Sequence, residues 1–116
     1  MKAVLDALGV SYVVEQGQDE SGAWYRMFSN GWVEQGGRFG YGDSAIPLVN
    51  TVTFPIEFAE LPTILIGGCG VNDAETFEGG IDLESISTTG FSYIGTSYNN
   101  SVRRNSFNWE AKGFAA

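Results

Sequence analysis

The chain of 116 residues contains no histidine. That removes the usual general base at neutral pH, and with it any serine or cysteine nucleophile activated by imidazole. It also removes the commonest transition-metal ligand. Cys69 is the only cysteine, so no intrachain disulfide can form. Its neighbours Ile64-Leu65-Ile66-Gly67-Gly68 make it read as a small buried hydrophobe in a protein that folds in a reducing cytoplasm. Only three prolines occur, and Pro47, Pro55 and Pro62 read as strand-end punctuation. No apolar run approaches the roughly 18 residues needed to span a bilayer, and the first nine residues lack the apolar core of a signal peptide. Basic residues are scarce as well: six Lys and Arg face 14 Asp and Glu, for a net charge of −8. Between Arg38 and Arg103 there is no basic residue, while Asp43, Glu57, Glu60, Asp73, Glu75, Glu78, Asp82 and Glu84 lie there. Such a chain repels phosphate backbones and bare anionic membranes, which argues against nucleic-acid partners and membrane insertion.

What is abundant is aromatic side chains, at 14% of residues, and glycine, at 16 positions. With strand-length apolar runs between them, this composition predicts an all-β fold with glycine-built turns in one small domain. Strands are expected at residues 10–16, 23–28, 32–39, 48–54, 63–69, 80–87, 91–95 and 106–114. Residues 1–9 carry Val4, Leu5 and Leu8 at helical spacing before Gly9, and read as a stem remnant or linker, or a frayed start. Residues 10–116 form the domain proper.

The clearest local signal is a hairpin around Ser29-Asn30-Gly31. A two-residue turn would set Ser29 opposite Trp32. A three-residue loop with Gly31 in the left-handed region sets Phe28 opposite Trp32 and Arg26 opposite Glu34. The second register is preferred, because it makes an aromatic pair and an opposite-charge pair, each worth roughly 0.2–1 kcal/mol. One hairpin face then carries Trp24, Phe28 and Trp32, and the other Tyr25, Met27, Val33 and Gln35. Neither face reads as freely solvated.

Connections alternate in character along the chain. Those at 29–31, 55–62 and 88–90 are short or proline-bounded, whereas those at 17–22, 40–47, 70–79 and 96–105 are long and polar. If successive strands are antiparallel, all four long connections fall at one end, opposite the tight turns and the chain terminus.

Four blocks resemble a known family: Trp24-Tyr25-Arg26 with Ser29-Asn30-Gly31-Trp32-Val33-Glu34-Gln35-Gly36-Gly37; Val52-Thr53-Phe54-Pro55-Ile56-Glu57-Phe58; Thr88-Thr89-Gly90-Phe91; and Trp109-Glu110-Ala111-Lys112-Gly113-Phe114. In order and spacing they are similar to the C-terminal receptor-binding tip domains of bacteriophage tail fibres of the gp53-like type. The resemblance implies a small antiparallel β-sandwich that assembles as a homotrimer at the end of a fibre shaft. It further implies a virion component, made in the bacterial cytoplasm, that contacts a surface glycan or outer-membrane protein. Trp24, Tyr25, Phe28, Trp32 and Trp109 would then belong to core or trimer interface, and the last strand would complete a sheet with Ala115 and Ala116 as a tail. Some tips of long-tailed phages hold iron through His-x-His pairs; lacking histidine, this chain departs from that pattern, and neither metal nor cofactor is expected.

Among the long connections, residues 96–105 have the most recognition chemistry. Tyr98 offers a stacking face, Asn99, Asn100 and Asn105 offer amides, and Arg103 with Arg104 can grip a carboxylate or phosphate. Tyr41 and Asp43 form a second candidate element. The same residues also suit an ordinary polar surface loop in which the arginines neutralise nearby acids. The acidic stretch from Asn72 to Glu78 lacks the dense alternating carboxylates of a calcium loop, and no carboxylate pair is marked out for glycosidase chemistry. The expectation is a binding protein, not an enzyme. The alternative is a structural trimerisation or folding cap without receptor contact.

Overall fold

The computed structural model describes residues 2–45, 48–69, 77–97 and 101–116. A short helix α1 (Lys2–Ala7) precedes eight strands: β1 (Val13–Gln18), β2 (Trp24–Phe28), β3 (Trp32–Ala45), β4 (Leu48–Thr53), β5 (Thr63–Cys69), β6 (Phe77–Ile81), β7 (Gly90–Ser97) and β8 (Ser101–Phe114). They form a five-stranded sheet in the order β1-β2-β3-β8-β5 and a three-stranded sheet in the order β4-β7-β6, every pair antiparallel.

The hairpin adopts the three-residue register. Met27 lies opposite Val33 and Arg26 opposite Glu34, so the next step of the ladder brings Phe28 to Trp32. Gly31 has φ of 89°, where a side chain would be strained, and its N–H donates to the Phe28 carbonyl at 2.9 Å. Asn30 Oδ1 accepts from the Trp32 N–H at 3.0 Å, closing the turn. β8, the last strand, lies between β3 and β5 and is therefore an interior strand of the larger sheet.

The two sheets face each other through aromatic rings. Trp109 of β8 meets Phe91 of β7 at 5.9 Å between centroids and Phe54 at 5.7 Å, and Tyr93 of β7 stacks on Phe107 of β8 at 3.9 Å. Val33, Val52, Phe58 and Ala111 complete a core of buried side chains. Burial raises the Tyr93 phenol above its usual 10.0, so it stays neutral within that core. Among these apolar groups sits Gln35, fully buried, whose amide donates to the Ile56 carbonyl at 2.8 Å and accepts from the Ile56 N–H at 2.9 Å. A side chain thus supplies the two hydrogen bonds that a neighbouring strand would give, and ties the segment after Phe54 onto β3.

The tight turns do gather at one pole. The Ala115 N–H donates to the Gly31 carbonyl at 2.8 Å, Ala116 N–H to Glu57 at 3.1 Å, Ala59 N–H to Phe114 at 2.8 Å and Phe58 N–H to Thr88 at 2.9 Å. β1 enters at the same pole, where Ser29 N–H donates to Tyr12. Ala115 bridges Phe58, so the expected tail is instead stitched into the pole.

Three further expectations are corrected. The strand expected at 80–87 ends at Ile81, because Asp82 caps a 3-10 turn (Leu83–Ser85) by accepting from the Glu84 N–H at 3.2 Å. The stretches 40–47 and 96–105, expected as loops, are strand over much of their length, since β3 runs to Ala45 and β8 starts at Ser101. Finally, the β1–β2 turn points toward the same end as the other long connections but stops far short of it. Trp24 pairs with Gly36, nine residues before the end of β3, or about 30 Å at strand rise. The long β3–β8 arms make the molecule slender: its extents are 58 × 28 × 22 Å, and its radius of gyration is 17.0 Å against about 13 Å for a compact chain of this length.

Candidate functional site

At the end opposite the tight turns, Ala45 pairs with Ser101, Cys69 with Ser106, Leu48 with Gly95 and Phe77 with Ser97. Both candidate elements arrive there on one ladder. Between the pairs Gly40–Ser106 and Gly42–Asn105, Tyr41 is an extra residue on β3; between Gly42–Asn105 and Ser44–Val102, Asp43 stands against the two residues Arg103 and Arg104. These are bulges, which add local twist and redirect the strand. The backbone register thus brings an acid and the chain's one consecutive basic pair together, although 60 residues separate them in sequence. Tyr98, Asn99 and Asn100 lie outside the described residues.

A second polar region lies on the flank, where the short β1–β2 hairpin ends beside the opening between the sheets. Asp19 organises the turn: its Oδ1 accepts from Ser21 Oγ at 2.6 Å, Ser21 N–H at 2.9 Å and Ala23 N–H at 3.1 Å. The Ser21 hydroxyl, with those backbone donors, holds the Asp19 carboxyl below its usual 3.8. Beyond the end of β2, on the outer face of the larger sheet, Arg38 Nε donates to Asn108 Oδ1 at 3.0 Å. A cavity of about 740 Å³ lies beside the Asp19 turn, floored by Gly37 and Trp109 and bordered by Thr51, Val52 and Thr53. Sequence reading passed over Arg38 and Asp19. The Asp-x-Ser-Gly turn was legible, but the cleft exists only because β1 and β2 are so much shorter than β3.

The third feature is the outer face of the larger sheet. Trp24, Phe28 and Trp32 are half-buried there, with Arg26 over the Trp24 ring at 5.4 Å and Trp32 edge-on to Phe114 at 5.1 Å. Arg26 Nη2 is 3.4 Å from Glu34 Oε1, and Lys112 Nζ is 3.9 Å from both Glu34 and Glu110. Tyr25 lies on the opposite hairpin face, half-buried, with its hydroxyl 3.5 Å from Glu15. Trp109 is core, 4% exposed. Phe114 and Leu65 are more than half exposed on the outer face or its edge. Among the described residues no cluster of acidic and cysteine side chains suits a metal ion, and no helix is long and apolar enough to cross a membrane.

This architecture, a slender antiparallel sandwich with its tight turns at one pole, is shared with solved structures of pyocin tail fibres. An N-truncated R1-type pyocin tail fibre matches with a TM-score of 0.67 at 18% identity, over 97% of this chain and 95% of that one. A longer C-terminal fragment of the R1 pyocin fibre from P. aeruginosa gives 0.68 at 18% identity, and an R2 fragment from the same organism 0.60 at 16%. The chain spans 97% of its own length in both, but only 31% and 29% of those longer fragments. At such identities the likeness establishes a shared fold. No protein-family model matches the sequence, and no curated protein does either; the gp53-like reading stays a resemblance.

Proposed function

We propose that this chain is the tip of a tail fibre on a phage or phage-tail-like particle, and that it recognises a bacterial surface glycan or outer-membrane protein through the end formed by the β3–β8 arms. The observation that carries the reading is the likeness, over 97% of this chain, to an N-truncated R1-type pyocin tail fibre, combined with the bulged ladder that sets Asp43 against Arg103 and Arg104. Residues 1–9 lead from a fibre shaft into the tight-turn pole. Residues 10–116 form the tip, and the opposite end, with Tyr41 and residues 98–105, faces the cell. The particle is a virion or virion-like assembly made in the bacterial cytoplasm. Binding, not catalysis, is its role, with no cofactor.

Incubating the purified chain with susceptible and resistant cells tests this directly. Adsorption to susceptible cells, reduced by substituting Tyr98, Arg103 and Arg104 together, is the expected result. Equal binding by that variant removes the site assignment, and no adsorption at all removes the recognition role. The second reading, a trimerisation and folding cap, draws on the half-exposed aromatics of the outer face. Three copies packed through that face would cover Trp24, Phe28 and Trp32. Both readings expect a trimer, but only the first expects adsorption.

A further inference from the structure

Asn30 is the only asparagine of this chain that is followed by glycine, and it stands exposed at the end of the β2–β3 hairpin. Gly31 has no Cβ to crowd an attack by its own backbone nitrogen on the side chain before it. Once that nitrogen gives its proton to hydroxide, it can bond to Asn30 Cγ. The Cγ–Nδ2 bond then breaks, Nδ2 takes a proton from water and leaves as ammonia, and a cyclic succinimide remains. Water opens the ring at Cγ to give aspartate, or at the backbone carbonyl of residue 30 to give isoaspartate. One water enters, one ammonia leaves, and nothing is oxidised.

The folded turn opposes the first step. The Gly31 N–H, whose proton must be lost, donates to the Phe28 carbonyl at 2.9 Å. Asn30 Oδ1 accepts from the Trp32 N–H at 3.0 Å, which anchors the amide that would have to swing onto the Gly31 nitrogen. That second bond also draws electrons from Cγ and by itself favours attack. Geometry decides against it, because the nucleophile keeps its proton and points at Phe28 instead of at Cγ. A third bond closes the turn from outside: the Gly31 carbonyl accepts from the Ala115 N–H at 2.8 Å, so the turn opens only when the chain end beyond β8 is released. We propose that Asn30 is a spontaneous deamidation site held nearly inert by the closed turn, and that opening of the tight-turn pole converts it to isoaspartate, which bars the turn from closing again. Isoaspartate carries the main chain through Cβ and Cγ and so inserts one extra atom before Gly31. The Gly31 carbonyl then no longer meets the Ala115 N–H, and the step of the ladder beyond Met27–Val33 loses its register. Aspartate, the other product, leaves the main chain unchanged and keeps an acceptor for Trp32. The inference concerns how long the fold lasts and stands apart from the surface-recognition reading.

The test incubates the full chain at mildly alkaline pH, folded in buffer and unfolded in urea, and maps its peptides by mass spectrometry. The mass gain of an amide-to-acid change locates the site, and methylation by an isoaspartate methyltransferase identifies the product. In urea, Asn30 is expected to react faster than any other asparagine. In buffer it is expected to react about tenfold or more slowly than in urea, since only the open fraction is competent. Ala115→Pro deletes the N–H that holds the Gly31 carbonyl and is expected to speed the folded-state reaction about threefold or more. If that variant fails to fold, the wild-type comparison decides alone. Amide hydrogen exchange on the isolated isoaspartate form is expected to show faster exchange at Ala115 than in the unmodified chain. Equal rates in buffer and urea overturn the proposal, as does faster reaction of another asparagine in urea. Indifference of a folded Ala115→Pro variant, or an unchanged Ala115 exchange rate, overturns the coupling to the chain end.

Discussion

Gln35 shows how one polar side chain can be worth more than several ion pairs. Its amide is buried, and both of its bonds go to the backbone of Ile56. Gln35→Ala would strand the part-buried N–H and carbonyl of Ile56, each costing about 1–3 kcal/mol where water cannot replace the amide, so a loss of about 2–4 kcal/mol is expected by urea denaturation. Gln35→Glu should be distinguishable by pH. An ionised carboxylate can accept from Ile56 N–H but cannot donate to its carbonyl, so its folded pKa rises above the ordinary value of about 4.3. Above that value the unfolded state holds fewer protons than the folded one, and the variant loses stability as pH rises. Asp19 has the opposite sign: its lowered pKa supports the turn above 3.8, and that support is lost as pH falls through this range. Arg26→Ala, by contrast, removes an exposed pair expected to contribute at most about 1 kcal/mol.

At the scale of elements, what could be read ahead depended on whether local chemistry or long-range pairing decided the outcome. The hairpin register was legible because Asn30 and Gly31 impose one turn geometry, and Gly31→Ala is expected to cost about 1–2 kcal/mol for its positive φ. The arms were not legible: Gly40-Tyr41-Gly42-Asp43-Ser44 has the composition of a loop, and only pairing with residues 101–106 of β8 holds it as strand. Since that partner lies some 60 residues away, nothing local announces it. The same pairing explains why two candidate site elements, separate in sequence, share one ladder. The span expected as strand at 80–87 fails for the converse reason, a local Asx cap at Asp82 overriding an alternating pattern. Close approach between strands gives a further expectation. A Cβ at Gly36 would lie 2.5 Å from the Trp109 carbonyl and 2.9 Å from Trp24, so Gly36→Ala must displace β3 from β8, at about 1–3 kcal/mol, read as a lower melting temperature.

For the whole molecule, slenderness and sheet order set the remaining question of what covers the outer face. A domain of this size buries a thin core, and the larger sheet presents Trp32, Phe114 and Leu65 outward beside a central strand. Burial of a large aromatic is worth roughly 1.5–3 kcal/mol, and in a threefold assembly that gain recurs in every copy. Folding and association would then be linked, and the melting temperature of the wild type should rise with protein concentration. Trp32→Ser combined with Phe114→Ser removes the edge-on pair without touching the inner core. The double variant is expected to sediment as a smaller species than the wild type and to melt at a temperature independent of concentration. A wild-type monomer at micromolar concentration would remove the trimer from both functional readings. A double variant that keeps its assembly state would place the interface elsewhere, on the exposed Val4, Leu8, Val10, Val13 and Val14 that line the entry to β1.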